Sequence, residues 1–263
     1  MVSPVNPKPS ERGAVLAWWL RKTFIQERKL AQKARGIFLR QHRAAAKAFA
    51  ATGSTLDATY AAYGHAGQMQ VALEDSYART GRVFGVPIIA AVERGKAAQG
   101  PTETKDAVNV FMTAMRAWGA FWAKEKLPGI TKTTLAGIRG TIATGLQEGL
   151  GVEAIARKIK ELGRGTISRL RARTIARTET HGAANYAQQR AAESTGIVFD
   201  REWLAVEDSR TRPDHADMDG TRIKKGENFK FPDGSAVEYP GDPSGSPAQV
   251  IACRCTTTQH AEY

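Results

Sequence analysis

The apolar pattern of this chain changes period once, and that change limits what it can fold into. Up to Gly196, apolar side chains recur at spacings of three and four, the mark of helices with one buried face. Residues 197–206 (Ile-Val-Phe-Asp-Arg-Glu-Trp-Leu-Ala-Val) partly alternate and are rich in β-branched and aromatic types, as a strand requires. From 207 on, Gly, Pro, Asp and Ser dominate, which implies loops and short strands, and 250–258 reads as a last strand. The expected fold class is α+β. An Ala-rich, mainly helical N-terminal half precedes a smaller mixed domain of short strands and long loops.

Taken in order, Ser10-Glu11 can cap a first helix that runs without proline to about residue 51. Its spacing turns Trp18, Phe24, Leu30, Ile37, Phe38 and Phe49 toward a core. A break at 52–54 precedes a second Ala-rich helix expected to reach Arg79, with interruptions at 81–87 and 95–101. Residues 102–127 carry Val108, Phe111, Met112, Met115, Trp118, Phe121 and Trp122 at helical spacing, a stripe suited to a core or to a subunit interface. Pro128-Gly129 is expected to end that helix and 131–134 to start another. Turns follow at Gly149-Leu-Gly151 and Gly163-Arg-Gly165. The helices flanking Gly149–Gly151 have the outline of a helix-turn-helix, but with no polar recognition face two simply packed helices explain them better. The domain expectation is a basic helical region 1–129 followed by an α+β domain 130–263.

Charge narrows the partners. The net charge is +12, and residues 1–50 alone hold 11 basic and 2 acidic side chains. A second stretch, 151–177, holds 8 basic and 2 acidic. Such an excess suits a polyanionic neighbour, nucleic acid being the commonest, or an acidic protein surface. Arg21, Lys22, Arg28, Lys29, Lys33, Arg35, Arg40, Arg43 and Lys47 are then either the solvated face of a long helix or an arm lying along DNA or a partner. No window approaches the roughly 18 apolar residues of a membrane span. The Pro-rich residues 1–10 read as a flexible lead-in without the apolar core of a signal peptide. Two cysteines one residue apart make no disulfide framework, so a cytoplasmic chain with reduced thiols or a metal is expected.

The most motif-like polar clusters lie in 171–255. In Cys253-Arg-Cys255 the two thiols would share one face of a strand. With His215 and a fourth group such as Asp208, Asp214 or Asp217, a tetrahedral zinc site is geometrically possible; two reduced cysteines packing as small hydrophobes are the alternative. The 208–215 loop admits a hydrolytic acid/base cluster or a phosphate clamp. The preferred reading is a salt-bridged loop in which Asp208 caps the turn and Arg210 and Arg212 pair with carboxylates. Arg177 and Glu179 point in different directions on one helix, one toward the core and the other across to that loop. Gly-rich phosphate loops, Gly-x-Ser-x-Gly elbows and His-Glu-x-x-His pairs do not occur.

The order of these pieces resembles the phage Mu F-like head morphogenesis (minor capsid) proteins, over roughly residues 130–258. The residues that carry the resemblance are 142–159, then 172–185 with Arg173, Arg177, Glu179 and Asn185, then Trp203 and the 208–215 loop with Arg210 and Arg212. Asp219-Gly220, Pro240-Gly-Asp242 and Cys253-Arg-Cys255 complete it. The resemblance implies a low-copy structural component of the virion, inside the head near the portal vertex and in the host cytoplasm during assembly. It implies the portal and other head proteins as partners, double-stranded DNA nearby, and a part in head assembly, DNA packaging or ejection. A membrane, a small-molecule substrate and a cofactor other than zinc are not implied. Some relatives carry a toxin or nuclease domain after the second cysteine, and the eight residues here leave no room for one. The alternatives are a metal-dependent, nuclease- or transferase-like enzyme using Glu179, Asp208 and His215, and a free DNA-binding module.

Overall fold

The computed structural model describes Val5 and residues 7–97 and 104–261. Expectations for 1–10 and 95–101 therefore fall partly outside the described residues. A 3-10 turn, Pro9–Glu11, leads into seven helices: α1 (Arg12–Thr52), α2 (Thr55–Tyr63), α3 (Gly67–Phe84), α4 (Val86–Ala97), α5 (Thr104–Gln147), α6 (Val152–Arg164) and α7 (Thr166–Ser194). Then come β1 (Phe199–Leu204), α8 (Pro213–Asp217), β2 (Arg222–Ile223), β3 (Phe229–Lys230), β4 (Ala236–Val237), α9 (Pro247–Val250) and β5 (Thr256–Ala261). The fold is α+β, with the period change near Gly196 marking the passage from helix to strand. Strands β2, β1 and β5 form an antiparallel sheet in that order, and β3 pairs with β4.

The chain divides into two compact units, neither of them a contiguous half. Unit 1 comprises residues 1–27, 76–119 and 177–263, and unit 2 comprises 28–75 and 120–176. The cut expected at 129/130 falls inside α5, because α1, α3, α5 and α7 are each long enough to give residues to both units.

Unit 2 closes around Ala45, Phe49, Ala58, Ala62, Ile138, Ile142, Ile155 and Ile159. Its helix starts follow local chemistry: the Ser54 hydroxyl accepts from the Asp57 amide and opens α2. That Ala-rich stretch is two helices, broken by a turn at 64–66, where one was expected as far as Arg79. The expected end at Pro128-Gly129 is also overturned, since Pro128 lies within α5. Pro128 is exposed, so the missing amide bond falls on the solvent side. Beyond it, side chains add bonds to the helix: Thr133 Oγ1 donates to the Gly129 carbonyl at 2.9 Å and Thr134 Oγ1 to that of Ile130 at 3.2 Å. Arg171 donates to Thr134 Oγ1 at 2.8 Å and also to the Ile130 carbonyl.

In unit 1, Trp19 meets Phe84 edge-on at 4.7 Å, and Gly85, between α3 and α4, lets the Phe111 ring come so close that a Cβ would lie 2.2 Å from it. Phe24, expected in the core, is 57% exposed. The buried face of α1 runs instead through Trp19, Thr23, Gln26 and Leu30, and leaves Phe24 on another side. The α5 stripe is buried at Phe111, Met112 and Met115 but has left the core by Phe121. A separate small core of Trp203, Ala205, Met218, Phe229, Phe231 and Val237 takes in Cys253 and Cys255. Among the described residues, no helix is long and apolar enough to cross a membrane.

Candidate functional site

Within unit 1, one face of α7 holds the loops that follow it. Thr178, Gly182 and Asn185 recur at i, i+4 and i+7, so they line a single stripe. Thr178 Oγ1 accepts from the Ala252 amide at 2.9 Å. Gly182 lets the Gly241 carbonyl approach so closely that a Cβ would stand 2.6 Å from its oxygen. The buried Asn185 donates through Nδ2 to the carbonyls of Pro240 (2.8 Å) and Cys255 (3.1 Å) and accepts from Thr256 Oγ1 at 2.9 Å. Asp242 completes the 240 loop by accepting from the amides of Glu238 and Ser244, both at 2.9 Å. The segment 178–185 is therefore a fastening strip, whose Thr178 and Gly182 roles no sequence signal marked.

That strip positions the cysteines. They do not lie on a strand, as expected; β5 begins at Thr256, and Cys253 and Cys255 sit in the turn that precedes it. Ala252 enters this turn at φ 58°, the left-handed region that residues with a Cβ rarely occupy. Both thiols nonetheless meet His215 of α8. Cys253 Sγ and Cys255 Sγ each lie 3.6 Å from His215 Nδ1, all three residues are buried, and their donor atoms fall within 4.8 Å of one another. His215 Nε2 is 2.9 Å from Gln249 Oε1, and Gln249 Nε2 donates to Asp214 Oδ2 at 2.7 Å and Asp233 Oδ2 at 3.0 Å. The rings of Trp203 and Phe231 wall the imidazole at 5.5 and 5.1 Å. A hydrogen bond from the Cys253 thiol holds the Cys255 thiol well below its ordinary value, against the pull of burial. Cys253, the donor, is pushed well up by that same bond and by burial. Two sulfurs and one imidazole nitrogen are a donor set for a soft tetrahedral ion.

The other expected site residues are dispersed. Asp208 is not part of the cysteine group: Arg254 grips its carboxylate at 2.7 and 2.5 Å, and with Arg210 this holds it well below the usual range. As expected, Asp208 caps its own turn, accepting from the Arg210 amide at 3.0 Å. Arg212, expected to meet a carboxylate, donates to the Ile251 carbonyl at 2.5 Å. Arg177 and Glu179 both have partners away from the 208–215 loop; Arg177 pairs with Glu27 at 3.5 Å and Glu179 accepts from the Tyr77 hydroxyl at 2.6 Å. Burial pushes the Glu27 carboxyl up, and the His181 contact at 2.8 Å together with Arg177 outweighs it, leaving it below its ordinary value. Arg173 is exposed, and Trp203 is buried in the small core. Glu179, Asp208 and His215 thus each hydrogen-bond to a different residue: Tyr77, Arg254 and Gln249.

The nine cations singled out on α1, from Arg21 to Lys47, are all exposed. Within unit 2, Lys33 pairs with Asp75 and Arg40 donates to Gln68 at 2.8 Å. Arg43 and Lys47 share an open groove with Arg157, Lys160 and Arg164 of α6, and Glu153 is the one acid among the described residues that line it.

Residues 136–258 match the family described as phage Mu protein F like protein. Minor head protein GP7 of Bacillus phage SPP1 is 34% identical over 102 residues, 38% of this chain and 32% of that protein. Uncharacterized protein YqbB of Bacillus subtilis (strain 168) is 26% identical over 141 residues, 52% of this chain and 46% of that protein. The NAD(+)--arginine ADP-ribosyltransferase EFV of Enterococcus faecalis (strain ATCC 700802 / V583) is 33% identical over 125 residues, 46% of this chain and 25% of that protein. The chain therefore spans less than half the length of each of these relatives. No solved structure matches it.

Proposed function

We propose that this chain, whose residues 136–258 belong to the phage Mu protein F like family, is a minor protein of a phage head. The observation that carries the reading is that family match, supported by the 34% identity to the minor head protein of SPP1. In finer detail, the protein is a low-copy virion component inside the head near the portal vertex. It contacts the portal and other head proteins and acts in head assembly and in DNA packaging or ejection. The role is structural. The polar residues that mark the family stretch are engaged with the protein itself: Asn185 with two carbonyls and Thr256, Asp208 with Arg254, Arg177 with Glu27.

Double-stranded DNA is proposed as a neighbour because positive charge collects on exposed helix faces. The groove of Arg43, Lys47, Arg157, Lys160 and Arg164 sets five cations against one acid, as a phosphate backbone requires. Quantitative mass spectrometry of purified particles tests the head assignment. Peptides of this chain at a few copies per particle are expected, and their absence at a sensitivity that reaches a single copy overturns it.

A further inference from the structure

We infer that His215 Nδ1, Cys253 Sγ and Cys255 Sγ bind one zinc ion, which clasps α8 to the turn before β5. The spacing of the three atoms fits such an ion. A tetrahedral zinc with Zn–S about 2.3 Å and Zn–N about 2.05 Å sets sulfur and nitrogen about 3.6 Å apart. Both sulfurs lie 3.6 Å from the same nitrogen. An imidazole nitrogen has one in-plane lone pair, so it can accept one thiol proton along its axis but not two. Two equidistant sulfurs are the arrangement of ligands around a shared vertex.

The tautomer of His215 is fixed by its neighbours. Asp214 and Asp233 both face the amide of Gln249, and carboxylates only accept. Gln249 must therefore turn its NH2 toward them and its oxygen toward His215, which obliges His215 to carry its proton on Nε2. The lone pair is left on Nδ1, aimed at the sulfurs. A histidine that donates its far N–H to a fixed acceptor is the usual second layer of a metal site. The backbone is shaped to the same end. Ala252 is held at φ 58° with its amide on Thr178, and this unusual turn is what delivers both thiols to one point.

Among the described residues, no further His, Cys, Asp or Glu joins the group, so the three buried side chains supply three of the four positions around the ion. The ion would link residues 215 and 253 across a small core beside strands β2, β3 and β4 of two residues each, where few backbone bonds do the same work. The inference stands independently of the head-protein reading.

The test uses the full chain, reduced, loaded with zinc, gel-filtered and analysed by elemental mass spectrometry. About one zinc per chain is expected in the wild type, and less than a tenth of that in Cys253→Ser and His215→Ala. Gln249→Leu should keep the ion but weaken it roughly 10- to 100-fold. A wild type that leaves the column without zinc overturns the site, as does full zinc content in both ligand variants. If those variants do not fold, titration of the wild type with Co2+ decides. A thiolate-to-cobalt charge-transfer band that zinc abolishes supports the site, and absence of the band overturns it.

Discussion

Replacing Asn185 with alanine tests whether the α7 stripe holds the C-terminal loops. The substitution removes the donor from two buried carbonyls, those of Pro240 and Cys255, and the acceptor from Thr256 Oγ1. Thr256 retains a second acceptor, Gln188 Oε1 at 3.3 Å, so its loss is partly made good. Each buried carbonyl deprived of its donor costs about 1–3 kcal/mol, which sums to roughly 2–6 kcal/mol for the pair. For a domain of this size each kcal/mol shifts Tm by about 2–4 °C, so a fall of roughly 4–24 °C is expected in the transition reported by unit 1. Asn185→Asp should be at least as damaging, because it keeps the shape while setting a carboxylate against two carbonyl oxygens. Thr256→Val, which removes a hydroxyl with two alternative acceptors, should cost about 1 kcal/mol. Urea and thermal unfolding followed by tryptophan fluorescence give the three values. An Asn185→Ala loss below about 1 kcal/mol, or a wild-type Tm for Asn185→Asp, refutes the reasoning.

Further outcomes follow from the same geometry. Gly182→Ala should destabilise by about 1–3 kcal/mol, because its Cβ meets the Gly241 carbonyl oxygen at 2.6 Å; an unchanged Tm would show that the 240 loop yields freely. Burial, with Arg171 nearby, holds His42 below its ordinary 6.5 against the opposing bond to the Phe38 carbonyl. A lowered folded value means that this contribution is complete above about pH 6.5 and is lost as pH falls through the folded value. Protection factors of unit 2 amides, with the intrinsic pH dependence of exchange divided out, should accordingly fall below about pH 6.5 in the wild type, and less so in His42→Gln. Reversing Arg43, Lys47 and Arg157 to glutamate should weaken binding to duplex DNA and flatten its log–log salt slope by about 0.9 for each phosphate no longer neutralised. Unchanged affinity in that triple variant would exclude the groove as a DNA surface.

How much was legible in the sequence depended on whether a residue's role is local. The helix start at Ser54 and the turn at Gly149, which takes a φ of 68°, follow from capping and glycine chemistry that neighbours alone determine. The break assigned to Pro128 failed because what sustains α5 there includes Arg171, from another helix. Phe24 was misplaced because a 41-residue helix rich in alanine offers several apolar stripes, and only packing selects the one through Trp19 and Leu30. The meeting of His215 with both cysteines was foreseeable from ligand chemistry. Gln249 and Arg254 were not: a neutral amide and an arginine carry no mark of the aspartates and histidine that fold against them.

The polar groups of the chain separate into those turned inward and those left to solvent, and the two sets are nearly disjoint. Asn185, His181 and Arg201 are buried, with Arg201 donating to Gln189 Oε1 and to the carbonyls of Glu238 and Glu227. Arg21, Lys22, Lys29, Arg43 and Lys47 are exposed, as are Arg157 and Lys160. A polyanion can meet only the second set, whereas Asn185, inside the stretch that matches the family, lies in the first. Stability and partner binding should therefore come apart under mutation. Changes on the α7 stripe should lower Tm while leaving the salt dependence of DNA binding as it is, provided the protein is kept below its transition. Changes among the exposed cations should do the reverse, because a solvated charge contributes little to folding but each neutralised phosphate adds to the salt slope. If Asn185→Ala and the Arg43–Lys47–Arg157 reversal alter both properties together, the separation is wrong and the fastening strip is itself part of the binding surface.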